Sequence, residues 1–554
     1  MKRLSAVFLA FFLLLSSCAA AYAAEMPTFA VVDVTEMDIP ALQQAVDDGY
    51  LTYEQIMLLY LERIEAYGEM YQCIISLSDT ALDEARECDR IYRAEGRSSL
   101  LFGLPAIVKD NIDVAGMATT NGERELAYNV AKTDAPVIAE LRKAGAIIVA
   151  KANMDAWANH SQYSISDYGR VNNAYDLNKS SYGSSGGSAV AAAAALAPIC
   201  LGTDTNASIR VPSSANGVVG IRPTKGLLST SGVTALVPDR DTAGCMAKSV
   251  FDSALILSAM TGFETDYTSA LSTDALSGLR IGVVDNLVRY STDEIRALFD
   301  NAVSVLQQQG AEIVHVSVSL GNTSSEVPAF RKSFVAAMDR NELDLVIYPT
   351  IRGAVRTHTA AASGSNSNGM YISPSAGVPA VTVPMGTDSS GLPSGLEFAG
   401  RSHDDALALS AAYAFEQALG LKVKTPLAPA LYDGAPTAIY DLLVLRSNPV
   451  LPVYTDFDEG YAAVTQTYEA AKSYLSTPYY TDADAGRQAG ALRDAYAEAV
   501  SAYRTGYQAY LDRLAAEEAH RQMQLHLSAA MGGCAVCLIT LGLLRNRKSK
   551  KAAV

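Results

Sequence analysis

The chain has 554 residues, 49% of them hydrophobic and 18% charged, enough apolar material for a large core. Its formal net charge of −16 argues against a nucleic-acid partner, which calls for a basic patch. The basic residues cluster only at the extreme C-terminus, at Arg545, Arg547, Lys548, Lys550 and Lys551.

Residues 1–24 read as a signal peptide. Met1-Lys2-Arg3 is a short positive start, Leu4 to Leu15 is an apolar run too short to span a bilayer, and Ala21-Tyr22-Ala23 offers a small-x-small cleavage site. Leu15-Ser16-Ser17-Cys18 offers the rival reading of a lipidated Cys18, with simple cleavage preferred. Residues 25–435 read as one catalytic domain. It opens on helices between Ile39 and Tyr67, where apolar residues recur at helical spacing. The apolar runs Ile107-Val108 and Ile147-Ile148-Val149 flank a helical stretch from Pro136 to Ala144, which predicts a parallel βαβ unit. The same alternation returns with Leu279 to Val284, a helix from Thr292 to Gln309 and Ile313 to Val316. Leu345 to Tyr348 and Ala380 to Val383 continue it. The expected fold class is α/β, a three-layer α/β/α domain around a mixed central sheet.

Beyond Pro436 the composition changes. Tyr496, Tyr503 and Tyr510 repeat at heptad spacing, with Leu492, Val500 and Leu514 on neighbouring helical positions, so residues 436–526 read as a helical stalk that could self-associate. Leu527 to Leu544 is uncharged and long enough for a transmembrane helix. The basic tail, 545–554, follows at once and should stay cytoplasmic, leaving the catalytic domain outside. Cys73, Cys88, Cys200 and Cys245 are expected as buried free thiols. No Cys/His spacing suggests zinc, and neither a metal nor a cofactor is expected.

The chemistry concentrates between Gly183 and Gly226. A Gly/Ser loop, Gly183 to Ser188, precedes a small-residue helical pattern from Ala189 to Ala197. A short apolar strand, Ile199 to Leu201, leads into the polar turn Thr203-Asp204-Thr205-Asn206-Ala207-Ser208. Such a turn sets a hydroxyl beside several backbone N–H groups. Acyl transfer needs both a nucleophile and donors for the developing oxyanion.

These residues resemble the amidase signature family of Ser-Ser-Lys hydrolases. Ser184 stands 24 residues before Ser208, and the stretch Leu104 to Asp113 matches the family's lysine motif at Lys109. Asp134-Ala135-Pro136, Ala144-Gly145-Ala146, Lys151-Ala152-Asn153-Met154 and Gly377-Val378-Pro379-Ala380 follow in family order. Asn153 to Ala158 and Gly395 to Arg401 look closest to the peptide-amidase branch. The resemblance implies that Ser208 is the nucleophile, that Ser184, with a cis peptide, relays the proton, and that Lys109 is the base. It implies an oxyanion hole from the N–H groups of Thr205, Asn206, Ala207 and Ser208. Asp204 and Arg210 are expected to fix the turn, and Ser185 is a helix-cap candidate. A lysine with an ordinary pKa of about 10.4 is no base near neutrality, so burial must lower it. Asp110 and Asp113 are expected to oppose that shift. The sequence departs from the family's commonest form, which has two glycines where this chain has Asn206-Ala207; Ala207 would be uncomfortable at positive φ.

The implied function is a membrane-tethered, extracytoplasmic amidase that cleaves a peptide or acyl carboxamide to an acid and ammonia or an amine. The alternatives are an impaired amidase-fold surface binding protein and the glutaminase subunit of an amidotransferase. Export and a membrane tail argue against the latter.

Overall fold

A computed structural model describes residues 34–321, 326–361 and 365–428. The segments read above as a signal peptide, a helical stalk, a transmembrane helix and a basic tail lie outside these residues. Among the described residues, no helix is long and apolar enough to cross a membrane.

The architecture is α/β around a mixed sheet of eleven strands. In chain order, β1 is Ile74–Leu77, β2 Pro105–Lys109, β3 Ile147–Ala152, β4 Ile165–Ser166, β5 Gly169–Arg170 and β6 Ile199–Asp204. There follow β7 Val219–Arg222, β8 Thr242–Ala247, β9 Arg280–Val284, β10 Glu312–Val316, β11 Leu345–Pro349, β12 Ala380–Thr387 and β13 Pro393–Ala399. The sheet order is β1-β3-β2-β6-β8-β7-β12-β13-β11-β9-β10, and β4 and β5 form a separate hairpin. Pairing is parallel at β3/β2/β6 and at β10/β9/β11, and antiparallel elsewhere in the sheet. Both predicted βαβ units are present: helix Pro136–Lys143 joins β2 to β3, and helix Asp293–Gln308 lies between β9 and β10.

The central strands read as continuous apolar or small residues because they are covered on both faces. Every residue of β2, β3, β6, β7, β8, β11 and β13 is buried. Helices Pro136–Lys143, Val250–Met260, Asp293–Gln308 and Asp405–Leu419 pack on one another as one layer, and helices Tyr53–Tyr71, Gly186–Ala193 and Arg210–Ala215 as another. Strand β12 is packed by members of both sets, so the sheet lies between them.

Local signals set the helix starts. Thr52 and Gln55 form a reciprocal capping box at the Tyr53–Tyr71 helix. Thr292 accepts from the Ile295 amide, and Ser249 from the Asp252 amide, at the starts of their helices. The small-residue helix runs Gly186–Ala193, earlier than the expected Ala189 to Ala197. It stops where Ala195 turns left-handed, and Arg63 satisfies the exposed carbonyls of Ala194 and Ala195. The strand expected at Ile199 to Leu201 continues to Asp204, because its ladder with β8 extends to Asp204–Thr242.

Candidate active site

Parallel pairing of β2 with β6 sets Val108 opposite Leu201, so both strands deliver their C-terminal residues to one place. Lys109 ends β2, and Thr203 lies next to the end of β6. Lys109 Nζ is 2.7 Å from Ser184 Oγ and 2.8 Å from Thr203 Oγ1, with all three residues buried. Asn111 Nδ2 donates to the same Thr203 oxygen at 3.1 Å. Burial pulls the Lys109 ammonium down to about 7, against the opposing pull of Asp204, Asp155 and Asp241.

Ser184 sits in the loop before helix Gly186–Ala193, and the Gly183–Ser184 peptide bond is cis. A Cβ at Gly183 would collide with the Tyr163 carbonyl oxygen, which explains the glycine. The Ser184 carbonyl accepts the Asp155 N–H at 3.0 Å and the Ser164 hydroxyl at 3.2 Å. The Ser208 turn docks on this loop through the Ser185 N–H, which donates to the Ser208 carbonyl at 3.1 Å. Ser208 Oγ and the amides of Asn206, Ala207 and Ser208 make no hydrogen bond among the described residues. A hydroxyl and a row of open N–H donors therefore share one turn, beside a buried amine of depressed basicity.

A buried charge cluster holds the turn from below. Asp204 accepts from the Ile209 amide at 3.1 Å, from Arg210 Nε and Nη2 at 3.2 Å each, and from Arg222 Nη1 at 3.0 Å. Burial pushes the Asp204 carboxyl up, but Arg210 and Arg222 outweigh it and leave the group below its usual value. Arg210 also pairs with Glu397 and donates to the Gly369 carbonyl, while the Tyr348 hydroxyl donates to Glu397 at 2.8 Å. Two guanidinium groups thus face two carboxylates in a fully buried setting.

Residues 55–328 match the amidase family. An A subunit of glutamyl-tRNA(Gln) amidotransferase from Chromobacterium violaceum is 35% identical over 332 residues, 58% of this chain and 67% of that one. The chain belongs to the amidase family. A mandelamide hydrolase of Pseudomonas putida is 37% identical over 289 residues, 51% of this chain and 56% of its own. The solved peptide amidase of Stenotrophomonas maltophilia is 29% identical and superposes with a TM-score of 0.64, over 72% of this chain and 99% of its own. The chain spans 63% of the length of other curated relatives that it matches.

The geometry of this amidase-family chain corrects several expectations. Ser185 occupies the cap position of helix Gly186–Ala193 without capping it; its hydroxyl donates instead to the Thr203 carbonyl at 3.1 Å and ties the loop to β6. Asp110 and Asp113 do not govern Lys109. The Asp110 carboxylate accepts from Thr120 and Gly122, and both acids act on Lys151. Lys151 Nζ donates to the carbonyls of Asp110, Ile112 and Ala118, bracing the loop after Lys109. Neither Asn206 nor Ala207 has a positive φ. The turn therefore needs no glycine for its backbone angles, and the Ala207 methyl is buried in an apolar cluster with Tyr182, Val211 and Ile351.

Thr203, Asn111, Asp155, Arg222 and Glu397 escaped the sequence reading. Thr203 lay in view, inside the turn itself. Asp155 sits in the Asn153 to Ala158 stretch, and its N–H hydrogen bond to the Ser184 carbonyl and its charge near Lys109 mark its place. Its carboxylate accepts from the amides of His160 and Ile165, and burial pushes it up to about 6.

Proposed function

We propose that this chain is an amidohydrolase that cleaves a peptide or acyl carboxamide through a Ser208 acyl-enzyme. The observation that carries the reading is the 2.7 Å contact between Lys109 Nζ and Ser184 Oγ in a water-excluded site that lowers the lysine to about 7. Neutral Lys109 takes the Ser184 proton while Ser184 takes that of Ser208. The freed Ser208 oxygen attacks the carbonyl carbon, and the C=O π electrons move to oxygen. That oxyanion faces the amides of Thr205, Asn206, Ala207 and Ser208, of which the last three are otherwise unsatisfied. Collapse breaks the C–N bond, and the proton returns through Ser184 to the leaving nitrogen. Water then repeats the sequence on the acyl-enzyme and releases the acid.

The names of the peptide amidase and the mandelamide hydrolase support a peptide or aryl-acyl amide as the substrate class. The leader-like start and the apolar stretch Leu527 to Leu544 support a membrane-tethered enzyme with its catalytic domain outside the cytoplasm. Open N–H groups and unstrained backbone at Asn206-Ala207 favour catalysis over a non-catalytic binding role.

The test is fluorophosphonate labelling and hydrolysis of an amide panel by wild type and Ser208→Ala. The wild type labels and turns over amides; Ser208→Ala does neither, with circular dichroism unchanged. An alanine variant that still forms an acyl-enzyme ends the assignment. Fractionation of full-length protein and of a chain truncated after Leu525 checks the tether; full-length protein in the soluble fraction overturns it.

A further inference from the structure

The turn that carries the open amides is held from a second loop, residues 236–241, by two consecutive side-chain ties. Thr205 Oγ1 donates to Asp241 Oδ1 at 2.6 Å, and Arg240 Nη1 donates to Asn206 Oδ1 at 3.3 Å. Neighbouring residues of one loop thus grip neighbouring residues of the other. The gripping loop is itself firm. Asp241 accepts from the Leu236 amide at 2.8 Å and the Val237 amide at 2.9 Å. The Arg240 carbonyl accepts from Arg222 Nη2 at 2.8 Å, which joins this loop to the buried arginine below Asp204. Arg240 is 3% exposed, so its guanidinium is packed and not a solvated surface group.

Glycine at position 206, the family's commonest residue there, would offer no side chain to hold. Here Asn206 provides an acceptor, and its carbonyl, 3.4 Å from Arg210 Nη2, shares a peptide plane with the open Ala207 N–H. The Asn206–Ala207 peptide plane is therefore held through its carbonyl by Arg210, and the residue that begins it is held through its side chain by Arg240. Orientation of that plane decides where the N–H points.

We infer that Arg240 is a positioning residue, acting through Asn206 to aim the oxyanion-binding amides. The inference rests on the hydrolase reading above. The interaction matters where negative charge is fully developed, so it should be felt in the tetrahedral state more than in the bound amide.

The experiment compares full-length wild type, Arg240→Gln, Asn206→Ala and the double variant. It measures kcat, KM, the thermal midpoint and inhibition by a boronic acid, whose boron becomes tetrahedral on the serine oxygen. Each single variant lowers kcat by about tenfold, less than the ~10²–10³ that loss of an oxyanion donor costs outright. KM stays within about twofold, boronate affinity falls in step with kcat, and the double variant is no worse than the poorer single one. Arg240→Lys recovers part of the loss. Multiplying losses in the double variant overturn the inference, as does a raised KM with unchanged kcat. If Arg240→Gln fails to fold, Asn206→Ala decides alone: boronate affinity equal to wild type overturns it. A wild-type protein that neither hydrolyses amides nor binds the boronate defeats the hydrolase reading itself, and this inference with it.

Discussion

Lys109 Nζ lies 2.8 Å from Thr203 Oγ1 as well as 2.7 Å from Ser184 Oγ. Thr203 also receives Asn111 Nδ2, so its oxygen is a fixed acceptor. A neutral lysine amine can donate to Thr203 while its lone pair faces Ser184. Thr203→Val keeps the shape and removes the acceptor. The expected loss in kcat/KM is about tenfold to a hundredfold, in keeping with the ~1–3 kcal/mol cost of leaving a buried donor unsatisfied. Steady-state kinetics with a folded variant checks it; an unchanged kcat/KM removes Thr203 from the relay.

The pH profile should rise through about 7, because only unprotonated Lys109 can accept the proton and burial lowers the lysine to that value. Asp155, Asp204 and Asp241 each favour the charged lysine and so raise its pKa. Asp204 is committed to two arginines and Asp241 to a hydroxyl and two amides, which leaves Asp155→Asn as the least disruptive probe. Removing that negative charge moves the acidic limb of kcat/KM to lower pH. Asp155 itself stands near 6, so the wild-type limb reports the two groups together. Profiles of both proteins across the neutral range decide; a limb that stays in place, or moves to higher pH, assigns the titration elsewhere.

Asp204→Asn should cost about 3–5 kcal/mol of stability, because it leaves Arg210 and Arg222 buried with an uncompensated charge. By contrast Arg86→Ala, which removes the partly exposed contact to Glu54, should cost less than about 1 kcal/mol. Urea denaturation of the two variants measures the contrast, and equal losses would contradict it.

Ala207→Gly should retain wild-type kcat within a few-fold, since the backbone there has no positive φ for glycine to relieve. It should lose about 1 kcal/mol of stability from the missing buried methyl and the added chain entropy. A large gain in activity would show that the methyl obstructs the acyl group.

Much of this was legible locally. The two βαβ units follow from apolar runs alternating with helical periodicity, which depend on neighbours a few residues apart. Lys109, Ser184 and Ser208 stand out in the sequence because their motifs have characteristic chain spacing. The bracing of that site was not legible, because it joins residues that periodicity cannot connect. Asp110 and Asp113 adjoin Lys109 in the chain, yet their carboxylates serve the 119–122 loop and Lys151. Proximity in sequence was a poor guide to electrostatics at a strand end, where the chain turns away.

The sequence by itself determined the α/β class, the family resemblance and which hydroxyls and which amine could do the chemistry. These depend on residue type and spacing along the chain. Only the tertiary structure decided that Lys109 is buried deeply enough to lose its proton near neutrality, that Ser185 ties its loop to β6 and does not cap a helix, and that Asn206-Ala207 needs no left-handed backbone. Burial, dielectric and backbone angle depend on what packs alongside. Here the packing comes from Thr203, 94 residues from Lys109, and from Glu397, 187 residues from Arg210.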